Sequence, residues 1–180
     1  SVRVQTIADR SVTSPLATPY VNSAQAIVTG AIATARMCFQ FIELRLWEDQ
    51  DIPALRKMSE QMKTRGALAG IQLAYSGING PNFYTKEVPL APSAGPIRTF
   101  TNDPVQARAM DKTDIRNLRR WFVNAAKRSR TAGFDLICLY GAHGFGIFQH
   151  FLSRATNMRS DEYGGSLENR SRFAREVIAD

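Results

Sequence analysis

Two residues able to exchange protons, Tyr140 and His143, stand three positions apart in the stretch YGAHG, directly after the apolar run FDLICL. The chain has only two histidines, so this one stands out. A tyrosine hydroxyl beside a histidine loses its proton more readily, because an imidazolium compensates the phenolate charge. The two side chains could therefore exchange a proton. Taken alone, a histidine after a strand is more often a hydrogen-bonded loop residue.

Helices and strands alternate around this stretch. The segment DQDIPALRKMSEQMKTRG predicts a helix with Pro53 in its first turn and Gly66 at its end. ALAGIQL then predicts a short buried strand. A second helix starts at or near Asp111 and ends at Gly133, and FDLICLY is the next strand. Ser166 is the predicted N-cap of a last helix that turns Leu167, Phe173 and Val177 inward. AQAIVTGAIATARMCFQFI could form either a helix or a strand.

The second helix carries much of the net charge of +7. Its basic residues Arg116, Arg119, Arg120, Lys127 and Arg130 share one face, and its apolar residues share the other. This pattern indicates a solvated outer face, so we expect no nucleic-acid partner. No apolar run reaches the ~20 residues of a membrane span. The start of the chain lacks the apolar core of a secretory signal, and its two cysteines form no CxxC motif, so a cytoplasmic setting is expected.

The alternating order predicts an α/β fold with a parallel sheet covered by helices. In a (β/α)8 barrel the chemistry lies in the loops after the strands. Both unusual features of the chain lie in such loops: YGAHG, and a long Gly-, Pro- and Asn-rich segment from Ala74 to Met110. Two strands cannot close a barrel of about 250 residues. The chain is therefore either part of a larger protein or a small open α/β unit.

Two long segments carry a family resemblance. AAKRSRTAGFDLICLYGAHGFGIFQHFLSRATNMRSDEYGGSLENRSRF resembles the central segment of the Old Yellow Enzyme family of FMN-dependent oxidoreductases. LWEDQDIPALRKMSEQMKTRGALAGIQLAYSGINGPN is similar to its trimethylamine and dimethylamine dehydrogenase branch. The resemblance covers about Leu46 to Asp180. It implies a partial (β/α)8 TIM barrel, with residues 44–180 as the central part of an FMN-binding domain and residues 1–43 unassigned.

The resemblance also implies roles for three residues. Gln72 matches the residue that hydrogen-bonds the flavin pyrimidine edge, where an amide offers both a donor and an acceptor; otherwise it is a polar residue ending a strand. Tyr140 and His143 match the pair beside the substrate in the amine dehydrogenases. On this interpretation the small residues of YGAHG allow a close approach to flavin and substrate. The segment NMRSDEYGGSLENR is expected to be scaffold, with Asp161, Glu162, Asn169 and Arg170 locking a loop by hydrogen bonds.

Some positions depart from the family pattern. Phe145 stands where the reductases carry a proton-donating tyrosine, and Arg154 replaces a proline. Residues before about Leu44 match nothing in the family, and Cys38 does not lie in the motif of the branch's flavin-linked cysteine. The family's later catalytic aspartate, its flavin-phosphate loops and any iron–sulfur cysteines would lie beyond Asp180. An iron–sulfur cluster is thus a possibility for a full-length parent and not for this chain.

The resemblance implies a segment of an FMN-dependent oxidoreductase that oxidises, by demethylation, a methylated amine. Two alternatives stay open: an NAD(P)H-dependent ene-reductase of the same family, and a non-catalytic truncated fragment. We expect a small-molecule partner, an amine, with no membrane partner, and leave open whether the protein forms an oligomer. We also expect that this chain alone does not hold FMN tightly, and that residues 1–41 pack less well than the two strands.

Overall fold

The computed structural model describes five stretches in full, residues 46–64, 66–79, 88–97, 106–144 and 146–180, together with the backbone of residues 25–30. The expectations for Cys38, for Phe145 and for most of the segment 1–43 lie outside these residues. The described chain is mixed α/β. None of its helices combines the length and the apolar character needed to span a bilayer.

The main sheet has three strands in the order β1 (Gln25–Gly30), β2 (Ala69–Ala74) and β6 (Leu136–Leu139). β2 and β6 are parallel, as the alternating pattern predicts, and Gln72 pairs with Cys138. β1 runs antiparallel to β2 over six residue pairs, so the described sheet is mixed instead of purely parallel. β1 also resolves part of the ambiguous N-terminal segment as a strand, in keeping with its Ile, Val and Thr residues.

Helix α1 (Ile52–Lys63) precedes β2, and a 3-10 turn, Asp49–Asp51, leads into it. Pro53 lies at the start of the helix, where its missing N–H costs no hydrogen bond. The carboxylate of Asp51 accepts hydrogen bonds from the backbone N–H groups of Trp47 and Glu48, at 2.8 and 3.0 Å. The amide of Gly66 donates to the carbonyl of Lys63 just after the helix ends, as the sequence predicts.

Helix α2 (Lys112–Thr131) connects β2 and β6 and begins at a reciprocal cap. The Asp111 carboxylate accepts from the amide of Asp114, and the Asp114 carboxylate accepts from the amide of Asp111, at 2.7 and 2.9 Å. Its buried face is formed by Ile115, Leu118, Phe122, Ala125 and Ser129. The basic face is exposed except at Arg119, which is only 25% exposed and pairs with Glu176 and Asp180 of the last helix.

Two helices follow β6: α3 (Ile147–Leu152) and α4 (Leu167–Ala179). The hydroxyl of Ser166 accepts from the amide of Asn169 at 3.2 Å, which confirms the predicted N-cap. Phe173 and Val177 are buried as expected. The expectation for Leu167 was wrong, because its side chain is 65% exposed. As the first helical residue it lies beyond the edge of the core, so the helical period does not turn it inward.

An aromatic cluster joins these helices to the sheet. Phe151 stacks on Phe173 with ring centroids 4.6 Å apart, and Phe148 lies 4.9 Å from Phe122 and 5.4 Å from Phe173. Ile71 of β2 is buried in the same core. The helices therefore pack on one face of the β2–β6 pair.

The long segment after β2 contains structure that the sequence did not predict. The 3-10 turn Gly77–Asn79 follows β2 directly, and three short strands form a second sheet in the order β3-β5-β4: β3 (Leu90–Ala91), β4 (Gly95–Pro96) and β5 (Gln106–Ala109). Ile78, Ala91 and Ala107 form its small buried core. Strands of two to four residues are too short to show a period, so only their pairing reveals them.

Candidate active site

The two parallel strands end together, and Tyr140 lies at that end. Its backbone N–H donates to the carbonyl of Leu73 at 2.9 Å, which extends the β2–β6 ladder by one step. Its side chain is only 8% exposed. At the opposite end Asp135 fixes the register, since its carboxylate accepts from the amide of Ala69 at 2.9 Å and from Lys63 at 2.8 Å. The hydrogen bond from Lys63 and then that from Ala69 lower the pKa of Asp135.

The structure brings the predicted proton-handling pair together. The hydroxyl of Tyr140 lies 3.1 Å from Nδ1 of His143, and the ring centroids are 6.4 Å apart. His143 itself is exposed to solvent, whereas Tyr140 is buried beneath it. This arrangement gives a proton a direct path between a buried hydroxyl and a solvent-facing imidazole.

His143 has an unusual backbone conformation. Its φ is 58°, which makes it the only non-glycine residue with a left-handed φ in the described part of the chain. Such a conformation costs about 1–3 kcal/mol and persists where the surroundings enforce it. The next residue, Gly144, is also left-handed, with a φ of 77°. The two residues turn the chain sharply, so that His143 lies next to Tyr140.

The glycine at position 146 is required by the packing of this loop. Its φ is 90°, and a Cβ there would lie 2.7 Å from the carbonyl oxygen of Tyr140. From the family resemblance, the small residues of YGAHG are expected to allow a close approach to flavin and substrate. The structure supplies an internal reason at Gly141, because an added Cβ there would lie 3.1 Å from Cβ of Phe148, a tight contact.

Gln72 lies on the face of β2 opposite the helices. It is the fourth of six strand residues and so does not end the strand, because the ladders continue to Ala74 on one side and to Leu73 on the other. Its half-buried amide is 3.9 Å from Sγ of Cys138, the residue paired with it in β6. Gln72 in the second half of β2 and the Tyr140–His143 pair just after β6 thus lie toward the carboxyl ends of two adjacent parallel strands.

Three polar side chains that the sequence analysis missed hold the loop beneath His143. Asn79 of the 3-10 turn and His150 of α3 both contact the carbonyl oxygen of Gly144, at 2.7 and 3.1 Å. Gln149 accepts a hydrogen bond from the amide of Gly144 at 2.9 Å. The one available signal was that His150 is the second of only two histidines. Asn79 carried none, since its partner is 65 positions away.

The segment after α3 forms a bonded scaffold, as expected. The Asp161 carboxylate accepts from Arg159 at 2.9 Å, and this hydrogen bond lowers the pKa of Asp161. Arg159 also donates to the carbonyl of Pro92, which ties the segment to the second sheet. The carbonyl of Glu162 accepts from Arg172, and the Arg170 guanidinium donates to the carbonyl of Leu152. Within the described residues, no group of three or more His, Cys, Asp or Glu side chains could hold a metal ion.

The sequence of the chain matches a known enzyme family and several of its members. Residues 20–180 match the sequence model of a family described as the NADH:flavin oxidoreductase / NADH oxidase family. The chain is 42% identical over 136 residues to an NADPH dehydrogenase of Geobacillus sp. (strain WCH70). The aligned region covers 76% of this chain and 38% of the relative. It is 43% identical over 136 residues to an NADPH dehydrogenase of Bacillus cytotoxicus, covering 76% and 37%. The chain thus spans less than two fifths of the length of these relatives.

Solved structures give the same picture. Histamine dehydrogenase from Rhizobium sp. 4-9 is 88% identical, with a TM-score of 0.75, over 77% of this chain and 21% of that one. The amine oxidase for 6-hydroxypseudooxynicotine from Pseudomonas geniculata N1 is 39% identical, with a TM-score of 0.74, over 77% and 20%. An Old Yellow Enzyme homologue from Zymomonas mobilis is 31% identical, with a TM-score of 0.67, over 74% and 39%.

Proposed function

The chain belongs to the NADH:flavin oxidoreductase / NADH oxidase family, and on that premise we propose that it is the central part of an FMN-dependent enzyme that oxidises an amine. Membership confirms the family resemblance found in the sequence. The activity, the substrate and the roles of individual residues are our proposals, because the chain spans only 38% of its Geobacillus relative.

We propose that residues 44–180 contribute a run of strands and helices to a (β/α)8 barrel. The connection β2–α2–β6 supports this, because two parallel strands joined through a helix are the repeating unit of that fold. The exposed apolar residues of β6 support it as well. Leu136 and Ile137 are 56% and 43% exposed, whereas strands of parallel sheets are normally covered on both faces. Further strands and helices of a complete barrel would cover them.

The Tyr140–His143 hydrogen bond at 3.1 Å is the observation that carries the functional proposal. It stands at the carboxyl end of a parallel strand, where barrel enzymes place their chemistry. An ordinary solvent-exposed loop residue needs neither a strained backbone nor a contact with a buried hydroxyl, and His143 has both. Sequence identity of 88% to a histamine dehydrogenase, over 77% of this chain, favours an amine as the substrate of this pair.

The residues present fit a flavin at the sheet face that carries Gln72. The amide of Gln72 offers one donor group and one acceptor group, which suits a heterocyclic edge that displays both. Among the described residues the one hydrogen-bond partner of its amide is the weak acceptor Sγ of Cys138, at 3.9 Å, so the amide can take a stronger partner. FMN, when bound, supplies the acceptor for the hydride that leaves the substrate carbon.

Tyr140 and His143 would manage the substrate proton. An amine loses hydride from its adjacent carbon only when its nitrogen lone pair is available, so an ammonium substrate must first give up a proton. The Tyr140 hydroxyl, in contact with Nδ1 of His143, can pass that proton on to the imidazole. The exposed imidazole can then release it to solvent. On this account Tyr140 orients the amine and His143 takes the proton away from it.

The substrate class can be tested directly. We expect the full-length protein, purified with its flavin, to be reduced by histamine under anaerobic conditions, with bleaching of the flavin absorbance. Dimethylamine and trimethylamine, the class that the sequence analysis favoured, belong in the same assay. Loss of flavin colour with histamine or a methylated amine, and none with NADPH, supports the proposal. A flavin that no amine reduces overturns it.

One alternative has an observation in its favour. Two NADPH dehydrogenases are 42% and 43% identical to the chain, so an NAD(P)H-dependent ene-reductase remains the second candidate. An ene-reductase must add a proton to a substrate carbon, and the side chain of Phe145 has no proton to give. Amine oxidation needs no such proton. The assay above separates them when cyclohexenone and NADPH are added to a parallel sample. Rapid enone reduction without amine oxidation would establish the ene-reductase.

A further inference from the structure

Side chains hold Gly144 on both of its backbone groups. Its N–H donates to Oε1 of Gln149 at 2.9 Å. Its carbonyl oxygen is contacted by Nδ2 of Asn79 at 2.7 Å and by Nε2 of His150 at 3.1 Å. A carbonyl oxygen only accepts hydrogen bonds, so Nε2 of His150 must carry a hydrogen. Three side chains from two separate elements, the 3-10 turn after β2 and helix α3, therefore fix both backbone groups of Gly144, the residue after His143.

His150 is held rigidly in this position. Its side chain is only 2% exposed, and that of Asn79 only 5%. The imidazole packs directly against the backbone of Gly77, where an added Cβ would lie 2.5 Å from Nδ1 of His150 and 3.0 Å from its Cε1. Gly77 has a φ of 58°, which side-chain-bearing residues rarely adopt. The 3-10 turn is thus shaped to admit the imidazole, and the ring has little room to rotate.

We propose that His150 and Asn79 are positioning residues that act through Gly144 to hold His143 against Tyr140. Gly144 follows His143 directly, and both have left-handed φ values. When the carbonyl of Gly144 is fixed from below, the turn cannot relax to an ordinary conformation, and the His143 imidazole stays 3.1 Å from the Tyr140 hydroxyl. The structural part of this proposal stands on the contacts alone. Its consequence for turnover rests on the proposed function.

A matched pair of variants of the full-length flavin-loaded protein tests the donor at His150. His150→Gln keeps an N–H donor near the position of Nε2, whereas His150→Phe keeps a ring and removes the donor. We expect His150→Phe to lower kcat for amine oxidation by about 10–100-fold, because misplacing a reacting group by about 1 Å can cost about 100-fold. His150→Gln should recover most of that loss. FMN content should be the same in both variants, since neither change touches Gln72.

Crystal structures of the two variants provide a readout that does not depend on turnover. We expect the Tyr140–His143 hydrogen bond to be broken in His150→Phe and kept in His150→Gln. That result supports the positioning role even if the wild-type protein oxidises no amine, an outcome that would count against the proposed function alone. An unchanged hydrogen bond in His150→Phe overturns the positioning role. So does equal impairment of both variants, which would make packing of the ring, and not its donor, the important property.

A variant at Asn79 provides a second test in case His150→Phe fails to fold. Asn79→Leu has a similar volume and removes the other donor to Gly144, so it should also lengthen the Tyr140–His143 distance and lower kcat. Asn124→Leu, on the outer side of α2, serves as the matched control, because Asn124 is exposed. Wild-type geometry and kcat in Asn79→Leu would overturn the role assigned to Asn79.

Discussion

Nδ1 of His143 lies 3.1 Å from the hydroxyl of Tyr140, although His143 itself has a left-handed φ of 58°, a strained conformation for a residue with a side chain. The contact is therefore not a by-product of a relaxed loop. Buried side chains from the turn after β2 and from α3 hold the carbonyl of Gly144, the residue after His143, so the core of the fold supports the strained conformation. This hydrogen bond at the end of a strand thus depends on the packing of several elements.

Removal of the Tyr140 hydroxyl tests the role of this contact. We expect Tyr140→Phe to lower the rate of amine oxidation by about 10²-fold, the lower end of the range that a positioned proton-transfer group contributes. Tyr163→Phe is the matched control, since its hydroxyl bonds Glu176 on α4, at 2.8 Å, away from the strand ends. Stopped-flow flavin reduction by histamine measures both variants. Equal rates in Tyr140→Phe and wild type would remove Tyr140 from the mechanism.

Gln72 should contribute to flavin binding. We expect Gln72→Leu to weaken FMN affinity by about tenfold or more, because leaving a buried polar edge unpaired costs about 1–3 kcal/mol. The affinity is measured by titrating FMN into flavin-free full-length protein and following the quenching of flavin fluorescence. Gln61→Leu, at an exposed position of α1, is the control for the same substitution away from the sheet. Comparable affinities for the two variants would place the flavin elsewhere.

Local signals made much of the fold predictable from the sequence. The caps at Asp111 and Ser166 were identified correctly because a cap is formed by residues within three positions of each other. The end of β2 was placed too early, since the ladder with β1 carries the strand on to Ala74. At Ala74 that ladder joins residues 49 positions apart, Gln25 and Ala74. A polar residue in an apolar run, here Gln72, is a local signal for the end of a strand. The pairing of β2 with β1 overrode that signal.

The supports of the candidate site could not be predicted for a related reason. Tyr140 and His143 stood out because their spacing is short and their side chains are distinctive. Asn79 belongs to a glycine-rich stretch without any period, and it meets the carbonyl of Gly144 only because β2 and β6 are parallel neighbours. His150 lies on a helix of six residues, too short to show an inward face. Their roles are set by topology, which a single sequence does not display.

The aromatic cluster beneath the strands should dominate the local stability of α4. Phe173 is fully buried and stacks on Phe151 at 4.6 Å. We expect Phe173→Ala to lower the free energy of opening α4 by about 3–5 kcal/mol, because it removes apolar contact and leaves a cavity. Phe173→Leu should cost less than half as much. Native-state hydrogen exchange of the α4 amides measures both, and protection unchanged in Phe173→Ala would contradict this assignment of the core.

The ion pair between Arg159 and Asp161 should make the scaffold loop sensitive to acid. The hydrogen bond from Arg159 lowers the pKa of Asp161 below its usual value of 3.8, while burial opposes that shift. A carboxyl group whose pKa is lower in the folded state stabilises the fold fully above its unfolded value. That stabilisation is lost as the pH falls below 3.8 and through the folded pKa. The protection of amides in the loop around Asp161 should therefore decrease as the pH falls through this range.

Asp161→Asn isolates this contribution. It removes the charge, so the loop should be less stable than wild type at pH 7 and its protection should change less between pH 6 and pH 3. The guanidinium of Arg159, only 11% exposed, would lose its ionic partner while still bonded to the carbonyl of Pro92.

Glu168→Gln is the matched control, since Glu168 is 74% exposed and 4.0 Å from Arg175, a pair expected to add little. Hydrogen exchange across residues 157–164 measures both variants. If Asp161→Asn and Glu168→Gln show the same pH dependence as wild type, the Arg159–Asp161 pair does not stabilise the loop.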